Sequence, residues 1–184
     1  SEKNLRESLK LAQMMSPCVL WLDEVEKGIS TGDNDGGTSK RVLGTLLTFM
    51  QENKFPIFLV STANDISALP PELFRKGRMD EIFFVDLPDD EARQEIFKIH
   101  LSKRKQVHLE FDLLKLAEAT QGFSGAEIEQ AVVAGLYSSL YTNEALNTDM
   151  ILQEIDSTSP LSQVMAEKMQ ALRKWAEGRA VIAN

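Results

Sequence analysis

The stretch Ser16–Gly28 reads SPCVLWLDEVEKG, and it carries the chain's most hydrophobic run straight into two acids, Asp23 and Glu24. Cys18 to Leu22 are apolar throughout, which is the composition of a strand buried on both faces of a parallel sheet rather than the alternation of a half-exposed one. The acids then fall at the strand's carboxyl end, where open α/β sheets bind their ligands. Four apolar residues before Asp-Glu also describe a plain strand reaching the surface, so the flanking sequence has to decide.

Upstream, Leu5, Leu9, Ala12 and Met15 recur at helical spacing and predict an amphipathic helix over residues 2–15. Downstream, EKGISTGDNDGGTSK (Glu26 to Lys40) holds four glycines and no apolar period, and reads as a loop. Val42, Leu43, Leu46, Leu47 and Met50 predict a helix from about Lys40 to Gln51. FPIFLVSTAND is a second buried strand, LPPELFRKGRMD a short helical turn entered through Pro70–Pro71 and broken at Gly77, and EIFFVDLP a third strand. Apolar strands separated by helices imply a parallel sheet covered on both faces.

From Asp89 the pattern becomes all-helical. DDEARQEIFKIHLSKR has acids first and bases last, matching the helix dipole. A short helix is expected over Phe111–Ala119. Ser124 stands three residues before Glu127, the capping-box spacing, ahead of the apolar run that follows. Two more helices are expected at about Asp149–Ile155 and Ser162–Glu177. The boundary is placed near Pro88: an α/β part over 1–88, a helical part over 89–184.

Composition narrows the function classes. The 184 residues have a formal charge of −8, 43% hydrophobic and 26% charged residues, an ordinary globular balance that argues against nucleic acid as a partner. One cysteine, Cys18, forms no internal disulfide, and two separated histidines make no zinc-type ligand cluster. No apolar run reaches the length of a membrane span.

Three further signals accompany the acids. Asn64 closes the second strand, and a neutral amide can both donate to and accept from a water held against a phosphate. Arg75 and Arg78 flank Gly77 on a short element, and two guanidiniums suit the charge of a phosphate being transferred. Singly, each has a bland account: a turn-opening Asn, or surface arginines paired with Asp80 or Glu81. Their order and spacing are far more specific.

The run from SEKNLRES through VLWLDE, STAND, LFRKGRMDE and GFSGAEIEQAV resembles the AAA branch of the AAA+ ATPases over about residues 1–140. The resemblance implies an α/β fold: an incomplete three-layer, parallel-sheet P-loop NTPase domain followed by the all-helical AAA+ lid. It also implies ATP and Mg²⁺ as cofactors. Asp23 and Glu24 stand at the Walker B positions, Asp23 for the metal and Glu24 for the attacking water. Asn64 stands at sensor 1, and Arg75 and Arg78 at the arginine fingers that act on a neighbouring subunit. His100, Gly125 and Ala126 stand where the lid meets the nucleotide's ribose and base. A homo-oligomer, commonly hexameric, an unidentified protein substrate and remodelling of macromolecules follow by the same resemblance; a non-catalytic assembly module is the alternative.

The C-terminal SPLSQVMAEKMQALRKWAEGRAVIAN resembles the ending of cyanobacterial and plastid AAA ATPases of the hypothetical-chloroplast-frame type, which implies a cytoplasmic or stromal location. The phosphate cradle G-x-x-x-x-G-K-[ST] is not in the sequence. The expectation is therefore a chain that begins after its own phosphate-binding loop and, alone, neither hydrolyses ATP nor holds it tightly. The Gly-rich loop from Glu26 to Lys40 is a candidate second pore loop.

Overall fold

Leu5, Leu9 and Ala12 give the first helix its buried stripe. In the computed structural model, which describes residues 2–29, 37–75 and 77–183, this helix, α1, spans Glu2–Met14. Its solvent face carries Arg6–Glu2 and Lys3–Glu7 pairs at helical spacing, which contribute a few tenths of a kcal/mol. Strand β1 (Cys18–Leu22) and strand β2 (Ile57–Ser61) pair in parallel, with Cys18 opposite Ile57 and Leu22 opposite Ser61. Between them lie α2 (Val25–Ile29) and α3 (Thr38–Glu52). The segment read as a loop thus contributes helix at both ends, because Val25 and Ile29 find an apolar core; residues 30–36, the middle of the candidate pore loop, lie outside the described residues. Short 3₁₀ turns follow at Ile66–Ala68 and Pro71–Phe74.

The chain divides into two compact units, Ser1–Ile82 and Phe83–Asn184. In the first, Ile29, Leu46, Leu69 and Leu73 form the core, with Leu5, Leu22, Val25, Leu43, Leu47 and Met50 packed against it. The β1–β2 sheet does not show the two covered faces expected from its composition. Val19, Trp21 and Phe58 share one face and are 65%, 61% and 69% exposed, because Leu22, and the helices packed with it, lie on the other.

The second unit is helical: α4 (Asp90–Lys103), a 3₁₀ turn (His108–Glu110), α5 (Leu113–Ala119), α6 (Gly125–Thr142), α7 (Thr148–Asp156), α8 (Leu161–Val164) and α9 (Ala166–Ala176). Side chains cap four of these helices: Asp89 accepts from the Ala92 amide, Asp112 from Lys115, Ser124 from Glu127 and Asn147 from Met150. Phe97, Leu101, Leu116, Ile128, Val132 and Ile151 are wholly buried in its core. At Gly135 a Cβ would come within 3.1 Å of Ile151 and Leu146 side-chain atoms, so the glycine permits the close approach of α6 and α7.

Two features of this unit depart from expectation. The single helix foreseen over Ser162–Glu177 breaks at Met165 into α8 and α9. The third strand shortens to β3 (Phe83–Phe84) and pairs in parallel with β4 (Val181–Ile182). That pairing lies within the second unit. Asp86 and Arg173 reinforce it with a two-pronged pair at 2.7 and 2.9 Å. The guanidinium holds the Asp86 carboxyl below its ordinary value.

Candidate functional site

The parallel register places the acids. Cys18 faces Ile57, and the same offset of 39 residues sets Thr62 beside Asp23 just past the strand ends. The ladder runs on for one step, with the Thr62 amide donating to the Leu22 carbonyl and the Val25 amide to the Thr62 carbonyl, each at 3.0 Å. Glu24 takes a left-handed conformation, φ 49°, which non-glycine residues adopt at a cost. That turn aims its amide at Thr62 Oγ1, 3.0 Å away, while the same hydroxyl donates to Asp23 Oδ1 at 2.5 Å. One hydroxyl therefore fixes both acids: it accepts from one residue's backbone and donates to the other's carboxylate.

Asn64 is brought to Glu24. Its Nδ2 donates to Glu24 Oε1 at 3.1 Å, and Lys27 Nζ donates to Oε2 at 2.5 Å. The Glu24 carboxylate is thus oriented by an amide on one side and an ammonium on the other. Their contact raises the Lys27 pKa above its ordinary value.

Beneath them Glu26 is only 7% exposed, and its Oε1 accepts from the Asn64 backbone amide at 3.0 Å. Its Oε2 is buried without a partner among the described residues. A carboxylate so placed is costly, and what it secures is the backbone of Asn64. Sequence reasoning missed Thr62, Glu26 and Lys27. The available signal was the shared position of Thr62 and Asn64 in STAND and a third acid in DEVE.

Asp23 offers Mg²⁺ an oxygen: Oδ2 accepts no hydrogen bond among the described residues, and the side chain is exposed. No group of three or more His, Cys, Asp or Glu assembles among those residues. Mg²⁺ here would take its remaining oxygens from water and phosphate, the manner in which this hard, reluctantly dehydrated cation is usually held. The residues fit an ion that arrives with a nucleotide.

Arg75 and Arg78 are not brought to the acids by any hydrogen bond or ion pair among the described residues. Arg75 is exposed. Arg78 donates through Nη1 to the Glu72 carbonyl at 2.6 Å, across a turn that Gly77 closes at φ 85°. No ion pair to Asp80 or Glu81 forms among the described residues.

The second unit holds the other three residues of the expected site. His100, on α4, places Nδ1 3.2 Å from Glu129 Oε1 on α6. Gly125 and Ala126 open α6 beneath a complete capping box, in which Ser124 and Glu127 bond reciprocally. Burial works to raise the Glu127 carboxyl, but the Ser124 amide and hydroxyl and the Leu161 amide outweigh it and hold it low. A Cβ at Gly125 would meet only Ile96 Cδ1, at 3.6 Å, an ordinary contact. The protein's own packing therefore does not require glycine there.

The first part of the sequence matches a known family. Residues 1–87 match the model of the "ATPase family associated with various cellular activities (AAA)". Over these residues the chain is similar to the AAA family. The fold is that of an AAA α/β part with a helical part after it. Similar proteins include the "Uncharacterized AAA domain-containing protein ycf46" of Pyropia yezoensis, 43% identical over 98% of this chain and 37% of that protein. Those of the same name from Trieres chinensis (42%; 100% and 38%) and Guillardia theta (41%; 96% and 35%) align similarly. The chain thus spans little more than a third of these AAA relatives. Among the described residues no helix is long and apolar enough to cross a membrane.

Proposed function

We propose that this chain is part of an ATP hydrolase in which Asp23, Glu24, Thr62 and Asn64 form the hydrolytic centre. One observation carries the reading: Asn64 Nδ2 on Glu24 Oε1 at 3.1 Å joins an amide and a carboxylate 40 residues apart. A strand end without a catalytic purpose has no use for that pairing.

Bound together with the nucleotide, Mg²⁺ would neutralise phosphate charge. Asp23 would hold the ion through its uncommitted oxygen, with Thr62 fixing the rotamer of that carboxylate. Glu24 accepts the proton of the attacking water. To do so it exchanges one of its present partners, Asn64 or Lys27, for that water. Asn64, secured from below by Glu26, then orients the water by its amide.

Arg75, exposed on its turn, and Arg78 act in trans as arginine fingers, so turnover depends on self-assembly, commonly a hexameric ring. Residues 1–88 form the C-terminal portion of the nucleotide-binding domain and 89–184 its lid, with His100, Gly125 and Ala126 against the adenosine. Hydrolysis is coupled to remodelling or disassembly of a protein substrate, in the cytoplasm or plastid stroma. The 184 residues alone, which contain no phosphate cradle, neither turn over ATP nor bind it tightly.

Mixing tests this in a chain extended upstream to the length of its relatives. Glu24→Gln protomers and Arg75→Ala/Arg78→Ala protomers are each expected to be inactive, and their mixture to recover turnover. Variants that keep wild-type activity alone would remove the enzyme reading in favour of an assembly module. A mixture that stays silent would remove the fingers in trans.

A further inference from the structure

The turn at residues 121–124, which leads into α6, has two anchors. One is local: Phe123 is buried in the core of the helical unit, and the Ser124–Glu127 capping box closes the helix end. The other is remote. The corner at residues 160–162, where Pro160 is buried, folds onto the same turn. The Leu161 amide donates to Glu127 Oε1 at 2.7 Å, and a Cβ at Gly122 would come within 2.5 Å of Ser162 Oγ. Gly122 stands at φ 83°, so glycine suits both the backbone and the space there.

Glu127 joins the two anchors through separate oxygens. Oε2 accepts from the Ser124 amide and from the Ser124 hydroxyl, each at 2.7 Å, and Oε1 accepts from the Leu161 amide. Burial works to raise the carboxyl, but these three donors hold it below its ordinary value, so both oxygens are acceptors. The capping box needs only one of them. The other reaches across 34 residues to α8, and a hydrogen bond to a charged acceptor is of the stronger kind.

We infer that Glu127 is a positioning residue: by tying the Leu161 amide to the turn, it holds Gly125 and Ala126 in the conformation that receives the adenosine part of the nucleotide. This rests on the nucleotide-contacting reading of those two residues. Neither has a side chain long enough to grip a ligand, so what they offer is the placement of their backbone, which Ser124 and Glu127 set from either end. Releasing the remote tie lets the turn spread over more conformations, and apparent affinity falls with the fraction that stays competent. Contacts to adenosine are the same before and during phosphate transfer, so the loss falls on binding and not on the chemical step.

The test compares Glu127→Gln and Glu127→Ala in the chain extended to the length of its relatives. Glutamine closes a capping box as glutamate does, but its amide nitrogen then faces the Leu161 N–H, donor against donor. Alanine removes both bonds. For Glu127→Gln the expected result is a rise of about 3- to 10-fold in KM for ATP, the worth of one partly exposed hydrogen bond to a carboxylate. ADP should bind more weakly by the same factor, kcat at saturating ATP should not move, and the Leu161 amide should exchange faster. Glu127→Ala should raise KM at least as far.

A KM that Glu127→Ala leaves unmoved would overturn the inference. So would a Glu127→Gln chain of unaltered KM whose Leu161 amide exchanges freely, since the capping box alone would then suffice. A fall in kcat with KM unchanged would overturn it as well. An unaltered extended chain that binds neither ATP nor ADP would instead overturn the nucleotide reading of Gly125 and Ala126.

Discussion

The two units differ in the size of the core they enclose. The helical unit packs a large core that leaves Phe97 fully enclosed, while Leu109, Leu140 and Tyr141 stay exposed on its surface. Even its buried polar groups are answered: Thr120 Oγ1 donates to the Leu116 carbonyl, and Arg93 reaches the carbonyls of Ala117 and Pro88 as well as Asp90. The α/β unit gathers a smaller core and leaves Val19, Trp21 and Phe58 open on one sheet face. It buries the Glu26 carboxylate with one oxygen unpartnered among the described residues. The larger core lies in one unit, and the acids at the strand ends lie in the other.

Core truncation should expose that contrast first. Phe97→Ala in the helical unit is expected to cost about 3–5 kcal/mol, and Leu73→Ala in the α/β unit about 2–3 kcal/mol, because a looser surround collapses more readily into the space. Denaturant titration of the chain, followed separately by probes in each unit, checks the order; equal losses would remove the distinction.

A smaller effect is expected at the hinge of the site. Thr62→Val keeps the shape but strands the Glu24 amide and Asp23 Oδ1, at a cost of about 1 kcal/mol because water can reach both. Hydrogen exchange at the Glu24 amide should quicken while the exchange of α6 stays unchanged.

Smallest is the Asp86–Arg173 pair. Arg173→Ala should cost about 0.5–1 kcal/mol, since the arginine is half exposed and solvent screens the pair. The folded Asp86 carboxyl titrates below its unfolded value, so its contribution is present above the unfolded pKa, near 3.9, and is lost as pH falls through the lower folded one. Thermal melts of Asp86→Asn and the unaltered chain should differ at neutral pH and converge in acid.

How much of this the sequence displays depends on the range of the cause. Local causes are legible: β1 coincides with the apolar run Cys18–Leu22, and the Ser124–Glu127 capping box forms at its three-residue spacing. Non-local ones are not. α2 hides behind Gly28 and Glu26, because its stability comes from Ile29 meeting Leu46 and Leu73. β4 is two residues whose partner lies almost a hundred positions away. Asp23, Glu24 and Asn64 stand out as residue types at strand ends. Their mutual contacts depend on a register that no local pattern encodes, and so do the roles of Thr62 and Glu26.

The most direct test is phosphate release from saturating ATP by the chain extended to the length of its relatives, measured beside Glu24→Gln with bound nucleotide quantified in both. The account predicts a fall of at least about 100-fold, in line with the loss of a positioned proton acceptor, with nucleotide still bound. Turnover that survives the substitution would contradict it, and the acids after VLWL would be no more than the end of a strand.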